Sequence, residues 1–460
     1  MQYGIFLTEA TMKLGYIAKR TALWCKNYLT EGWYYGDEGS KNRLRLLKLN
    51  ILNNINGALT GGNCWTAFLL ILAAGNDAAR DNFVGTLAII TTACSLVPMF
   101  STVLLERFKR RKPLVTAVHI FSIIANVVFV GIVPFFPGDV QTKLTICAVI
   151  MGAKTLIGTL VGPAGTAWHM QSLPEQFRGG YYATNNLVSS VVSALIGLVV
   201  ARFVDRFGAA NLSTLLILRA VSLVLYAFDV IIYLRLPEHP YEGSSHIRIT
   251  DVFTMPFKNR KYLPTVFIPF LWNIAVALPG GYYGIYLLDD LKLSFSFMSV
   301  IVMFNIPITF LLTPTWKRIF AKFGWFKTMA FSMLIYSLQF PMQGLVTAST
   351  RWMYPVAQIW IMVFGMGINL VNSGIAYVNL PEENQTVYLA FYSTVNTIAS
   401  LLGAALGKSF IMHTEELHVT LFGLDFCNKQ LIMFLSFALI LCAVAAALTI
   451  IKKTSAHKEA

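Results

Sequence analysis

Charge is scarce in this chain, and so is anything that could work as a catalyst. Only 13% of its 460 residues are charged, against 56% hydrophobic, and mean hydropathy is +0.61. A water-soluble fold cannot hide that much apolar surface, so the solvent is lipid. There is no H-E-x-x-H, nucleophile elbow, paired carboxylate motif or glycine-rich phosphate loop. The seven histidines lack metal-ligand spacing, and the six cysteines (Cys25, Cys64, Cys94, Cys147, Cys427, Cys442) are scattered without a C-x-x-C. They read as free thiols, so no disulfide, metal or cofactor is expected. Loops long enough to carry a reaction are also missing, which weighs against a polytopic membrane enzyme. The net charge of +14 would suggest nucleic acid in a soluble protein, but the basic residues gather at the ends of apolar runs, and nucleic acid is not expected as a partner.

What the chain does have is duplication. Asn54-Ile55-Asn56-Gly57-Ala58-Leu59-Thr60-Gly61-Gly62 returns as Asn273-Ile274-Ala275-Val276-Ala277-Leu278-Pro279-Gly280-Gly281, both reading N-I-x-x-A-L-x-G-G. Leu173-Pro174-Glu175, followed by Tyr181-Tyr182-Ala183, is echoed by Leu380-Pro381-Glu382 and Tyr388-Leu389-Ala390. The offsets, 273 − 54 = 219 and 381 − 174 = 207, differ by no more than loop changes produce. Two halves of one design are implied. A channel or sensor would not predict this pseudo-symmetry.

Apolar runs long enough to cross a bilayer fall at 50–74, 83–105, 113–136, 143–168, 181–204, 213–236, 263–288, 295–316, 328–347, 353–380, 387–412 and 428–451. These twelve, here spans 1 to 12, give an all-α polytopic protein with two pseudo-symmetric six-helix bundles, 49–236 and 263–451. The polar stretch 237–262 joins the bundles, and 1–48 and 452–460 are tails. Residues 1–48 lack the apolar core and small-residue cleavage site of a signal peptide. Arg107, Lys109, Arg110, Arg111 and Lys112, then Arg178, Arg235, Lys258, Arg260 and Lys261, crowd the even-numbered connections. Both termini are therefore expected in the cytoplasm, with the protein in the cell membrane.

Two six-span halves joined by a cytoplasmic loop resemble the major facilitator superfamily, as a divergent bacterial-type member. That family carries G-x-L-A-D-R-x-G-R-K between spans 2 and 3. Here the gap reads Thr102-Val103-Leu104-Leu105-Glu106-Arg107-Phe108-Lys109-Arg110-Arg111, keeping the acid and arginines and replacing both glycines. A weaker second copy, Trp316-Lys317-Arg318-Ile319-Phe320-Ala321-Lys322-Phe323-Gly324, loses the acid. The resemblance implies secondary or facilitated transport of a small organic solute by alternating access. It also implies a cytoplasmic latch of Glu106, Arg107 and Arg110, with Arg178 as the cation of the corresponding loop. Arg111 and Lys112 are read as topology signals only.

In this family spans 1, 4, 7 and 10 line the path, and here each is interrupted by glycine. The repeated Gly61-Gly62 and Pro279-Gly280-Gly281 read as gating breaks, since adjacent glycines do not form a packing stripe; Gly158-x-x-x-Gly162 and Gly403-x-x-x-Gly407 suit close helix packing equally well. Charges at membrane depth are the first functional suspects. Lys154, in mid-span 4, is the best single substrate or coupling residue. Arg219 is expected to snorkel outward, and Asp229 is a weak candidate for proton coupling. His119 and His169 are read as interfacial. Asn54, Asn56, Asn273, Asn305, Gln358, Asn369, Asn372 and Asn396 are expected around one cavity, with ring faces from Trp65, Trp272, Tyr282, Tyr283 and Trp360. That mixture suits a hydroxylated or mixed polar and apolar solute, although interhelical bonding accounts equally for many membrane amides. The expected partners are the bilayer, the solute and a possible coupling ion, proton or sodium; the protein is expected to be a monomer.

Overall fold

The computed structural model describes residues 38–459 except 74, 99–109, 172–174, 209–210, 239–255, 260, 324, 382–384, 416 and 422–423. Among the described residues a helical run overlaps each of the twelve apolar stretches, and one further short turn, 256–258, lies in the polar connection. Eight of the stretches have the length and hydropathy of a membrane crossing as they stand. The remaining runs are shorter or more broken, span 8 for example being divided into Phe295–Met303 and Asn305–Phe323. The rim where the described chain begins and ends is called proximal below, and the opposite rim distal.

Helix ends follow local chemistry. Span 2 starts at Asp77, ahead of the expected boundary, because the Asn76 side chain accepts from Ala79 N at 3.0 Å and Asp77 sits at the positive helix terminus. Asn211 caps span 6 and Ser294 caps span 8 in the same way. Span 1 begins at Glu38, so residues 38–48, assigned from the sequence to a tail, continue its helix. Spans 11 and 12 are joined by an antiparallel hairpin, β1 (His418–Leu421) and β2 (Leu424–Cys427), with Val419 opposite Phe426. Hydropathy alone gave no sign of it.

The duplicated motif breaks the helix in both copies. Span 1 is Glu38–Thr60 followed by Gly62–Ala73, and span 7 is Leu263–Ala277 followed by Tyr282–Ile285. Gly62 has φ +53° and Gly280 φ +48°, a backbone region in which a side chain would be strained. The equivalence extends to partners. Ser193 Oγ of span 5 donates to Asn54 Oδ1 of span 1 at 2.9 Å, and Asn273 Nδ2 of span 7 donates to Asn396 Oδ1 of span 11 at 2.9 Å. The equivalent asparagine of each half is thus tied by a polar bond to the fifth span of that half, at partners about one helical turn apart in the repeat.

The other glycine pairs separate cleanly. A Cβ on Gly403 would stand 2.3 Å from Ile274 O and one on Gly407 2.0 Å from Leu278 O, so span 11 needs both glycines to lie against span 7. A Cβ on Gly158 or Gly162 would meet nothing within 4 Å, so no close packing depends on them.

Candidate functional site

Two polar cavities open between the halves. One, of roughly 380 Å³, is bordered by spans 1, 5 and 8, where Asn53, Asn54, Asn63, Ser193 and Ser299 supply polar groups beside Gly57, Gly61 and Gly62. The other, of roughly 440 Å³, is bordered by spans 2, 4 and 11 and is lined by Thr91, Thr92, Ser95, Thr155, Thr397 and Ser400. Neither lining includes a charged side chain.

Of the residues expected around one cavity, Asn54 borders the first, beside Gly61 and Gly62, the expected gating breaks. Several others are placed elsewhere by their own bonds. Asn56 is fully buried and accepts from Ser222 Oγ of span 6. Trp272 lies in the core of the second half, tilted against Tyr336 at 5.7 Å. Tyr282 is buried and donates to Asp81 O at 3.2 Å, while Tyr283 stacks on Tyr286. Trp65 stacks on Phe68 within the first half, and Trp360 donates to Ile335 O of span 9. Asn273 and Asn396 bond each other. Gln358 is half-buried, and Asn305, Asn369 and Asn372 are exposed on their helices. Amides and rings at these positions mostly join helices, as buried polar groups in lipid must.

The buried charges also depart from expectation. Arg219 does not snorkel: it is 4% exposed, donates to the Asn126 carbonyl at 2.6 Å and lies 4.4 Å over the Phe68 ring. Asn126 belongs to a π-helical turn, Ile124–Phe129, where the backbone pattern is irregular enough to offer a carbonyl to a side chain. His119 is not interfacial either. Its Nε2 bonds Oδ2 of Asp229, which is 0% exposed, and its ring stacks on Tyr233 at 4.5 Å. His169 joins the cluster against Tyr233 and Trp168, and His169 Nε2 and Asp229 Oδ1 are both buried without a partner among the described residues. Lys154 is half-buried, borders neither cavity and makes no ion pair among the described residues.

At the distal rim, side-chain bonds cross between the halves. Arg80, 2% exposed, is held by Asp77 at 2.7 Å and Asp81 at 3.0 Å in its own half, and its Nη1 also reaches Asp289 of span 7. Lys429 Nζ of span 12 lies 3.3 Å from Asp290 and 3.8 Å from Asp81. Lys408 Nζ donates to Thr86 Oγ1 at 2.7 Å. Asp205, at the end of span 5, accepts from the Phe295 and Ser296 amides at 3.0 and 2.7 Å, capping span 8 from the opposite half.

At the proximal rim the described bonds stay within one half. Lys112 Nζ donates to Leu234 O and Leu236 O, both at 2.8 Å, and Trp168 Nε1 to Pro237 O at 2.7 Å. Lys112 is therefore more than a topology signal, since it caps the carbonyl end of span 6. In the second half Tyr262 donates to Ala376 O, and Thr265 to Val378 O. Of the expected latch, Glu106 and Arg107 lie outside the described residues; Arg110 is exposed, and Arg178 falls on the first turn of span 5. Pro279 stands in the bend ahead of Gly280-Gly281, where a Cβ on Gly281 would meet Val84 of span 2 at 3.3 Å.

No curated protein sequence matches the chain significantly. Solved structures do match its fold. The nucleoside transporter NupG aligns at TM-score 0.63 and 13% identity, covering 89% of this chain and 99% of its own. The POT family transporter PepTSo aligns at 0.62 and 12%, covering 90% and 98%. A D-xylose-proton symporter aligns at 0.60 and 12%, covering 88% and 96%. The sequence model of the Major Facilitator Superfamily matches residues 55–404, from the second residue of the first copy of the duplicated motif through the whole of the second. The chain belongs to the Major Facilitator Superfamily.

Proposed function

We propose that this transporter moves a small polar organic solute by rocking its two halves about the cavities between them, with the distal rim as the closed gate. One observation carries this reading: every described side-chain bond between the halves lies near the distal rim, and the hydroxyl-lined cavity begins beyond Thr86 on the proximal side. Bonds between the halves that gather at one rim, as they do among the described residues, hold that rim shut. The positive-inside pattern makes the proximal rim cytoplasmic, with both termini there, and the membrane the cell membrane. The Gly61-Gly62 and Pro279-Gly280-Gly281 breaks supply bending points in the two equivalent spans. For the opposite state the family resemblance implies a proximal latch made by Glu106, Arg107, Arg110 and Arg178.

For the coupling ion we propose a proton held by the His119–Asp229 pair. An ionisable pair buried between spans 3 and 6 is costly unless it has a task. Both groups lie a short way inside the proximal rim, where a proton from that compartment arrives first. The surrounding titratable groups are His169 on span 4 and Tyr226 and Tyr233 on span 6. Span 1 contributes Leu46 and Leu49 to the same cluster, with Arg43 buried one turn nearer the rim. Neighbours of this fold include a proton symporter, which supports the reading.

The test is uptake into proteoliposomes with and without an inward pH gradient. Asp229→Asn should abolish gradient-driven accumulation while counterflow exchange survives, because exchange needs no net proton movement. Loss of both activities, or of neither, would remove Asp229 from the coupling role. In the same assay Lys154→Ala tests whether that cation serves the solute; unchanged transport would take it off the path.

A further inference from the structure

The wall formed by spans 2, 4 and 11 has a one-sided hydrogen-bond polarity. Five of its six hydroxyls have spent their single proton on their own helix. Thr91 donates to Leu87 O at 2.8 Å, Ser95 to Thr91 O at 3.2 Å and Thr155 to Met151 O at 2.8 Å. Thr397 donates to Ser393 O at 2.9 Å and Ser400 to Asn396 O at 3.1 Å. A hydroxyl has one donor and two lone pairs, so what these five offer the cavity is acceptor oxygen. A ligand that satisfies the wall must bring its own donors.

The charges nearby narrow the class further. No carboxylate borders either cavity, and the charged groups on the helices of this wall include Lys154, beside Thr155, and Lys408, two turns beyond Ser400 on the distal side. A cationic solute would lose hydration without gaining a counter-charge from the lining. An anionic solute needs donors, and drawing them from these hydroxyls would break the bonds to the helix carbonyls. A purely apolar solute would leave six oxygens dry and unpaired. We infer that this cavity is a solute subsite for neutral molecules rich in hydroxyl or amide donors, of the polyol, sugar or nucleoside kind, and that it selects against organic ions.

This inference builds on the alternating-access reading above, and the experiment keeps the two separable. Proteoliposomes are assayed with labelled D-glucose, D-xylose, myo-inositol and uridine as neutral probes, and with gluconate, glucuronate and glucosamine as charged ones. Transport of at least one neutral probe, ahead of every charged one, is the expected result. For that probe Thr155→Val and Ser400→Ala, which remove an oxygen and little volume, should each raise KM by about five- to tenfold, the worth of one hydrogen bond. Thr155→Ser should restore the wild-type KM, which a packing defect would not allow. Preference for a charged probe, or unchanged KM in both variants, would overturn the subsite while leaving the protein a carrier. If no probe of any charge moved, both readings would fall together.

Discussion

Among the described residues the two rims of this molecule are bonded in opposite ways. At the distal rim Arg80, Asp81, Asp205, Lys408 and Lys429 reach partners in the other half. At the proximal rim Lys112, Trp168, Tyr262 and Thr265 reach backbone carbonyls in their own half. The first arrangement makes closure of the rim depend on the relative position of the halves. The second makes each half rigid whatever that position is. A rocking machine needs both: stiff bodies, and one seam at a time whose bonds can be exchanged for others at the opposite seam.

Arg80 should be the most sensitive point of the seam. It is almost fully buried and serves three carboxylates, so Arg80→Ala leaves Asp77 and Asp289 without their cation and Asp81 with Lys429 alone, at 3.8 Å. Breaking such a set costs roughly 2–3 kcal/mol, enough to shift a two-state equilibrium by tenfold or more. Spin labels at Asp139 and Arg351, on distal connections of opposite halves, should report a longer separation in the variant. An unchanged distance distribution would mean that the Arg80 network does not hold the rim.

The sequence showed more of the scaffold than of the seam. Duplication was legible because the helix breaks at Gly62 and Gly280 require φ values that glycine supplies, and those glycines stand out in an apolar background. Twelve runs were legible because lipid demands continuous apolar length. The cavity-facing role of Asn54 could be anticipated, but not that Asn56, two residues on, turns to Ser222 in the first half's interior. The seam was hidden because Arg80 and Asp289 are 209 residues apart and no local rule joins them. An available signal was missed in Asn76-Asp77, a capping pair that moves the start of span 2 and carries Arg80 from a loop into the first helical turn. The His119–Asp229 pair and the carbonyl that receives Arg219 depend on how spans 3 and 6 pack and on a π turn, neither of which periodicity reveals.

Asp205 tests the same seam more gently. Its carboxylate accepts two amides at the start of span 8, and Ser294 already serves the next turn by accepting from Phe297 N at 3.2 Å. Asp205→Ala therefore removes a second cap, worth about 1 kcal/mol. The distal label separation should shift in the same direction as for Arg80→Ala but by a smaller population, roughly fivefold. Asp205→Asn, which keeps an acceptor and loses the charge, should fall between wild type and the alanine variant. Equal effects from alanine and asparagine would assign the contribution to charge alone.

Lys112 sharpens the contrast from the other side. Its ammonium caps the end of span 6 within the first half, and among the described residues no partner of it lies in the second. Lys112→Met keeps most of the side-chain length and removes the two carbonyl bonds, so the thermal midpoint should fall slightly, in keeping with a loss of about 1 kcal/mol. The distal label separation should not change at all, because nothing the residue touches depends on how the halves sit. A shift of that distance in Lys112→Met as large as in Arg80→Ala would mean that the proximal bonds also sense the position of the halves, and the division between stiff bodies and an exchangeable seam would have to be redrawn.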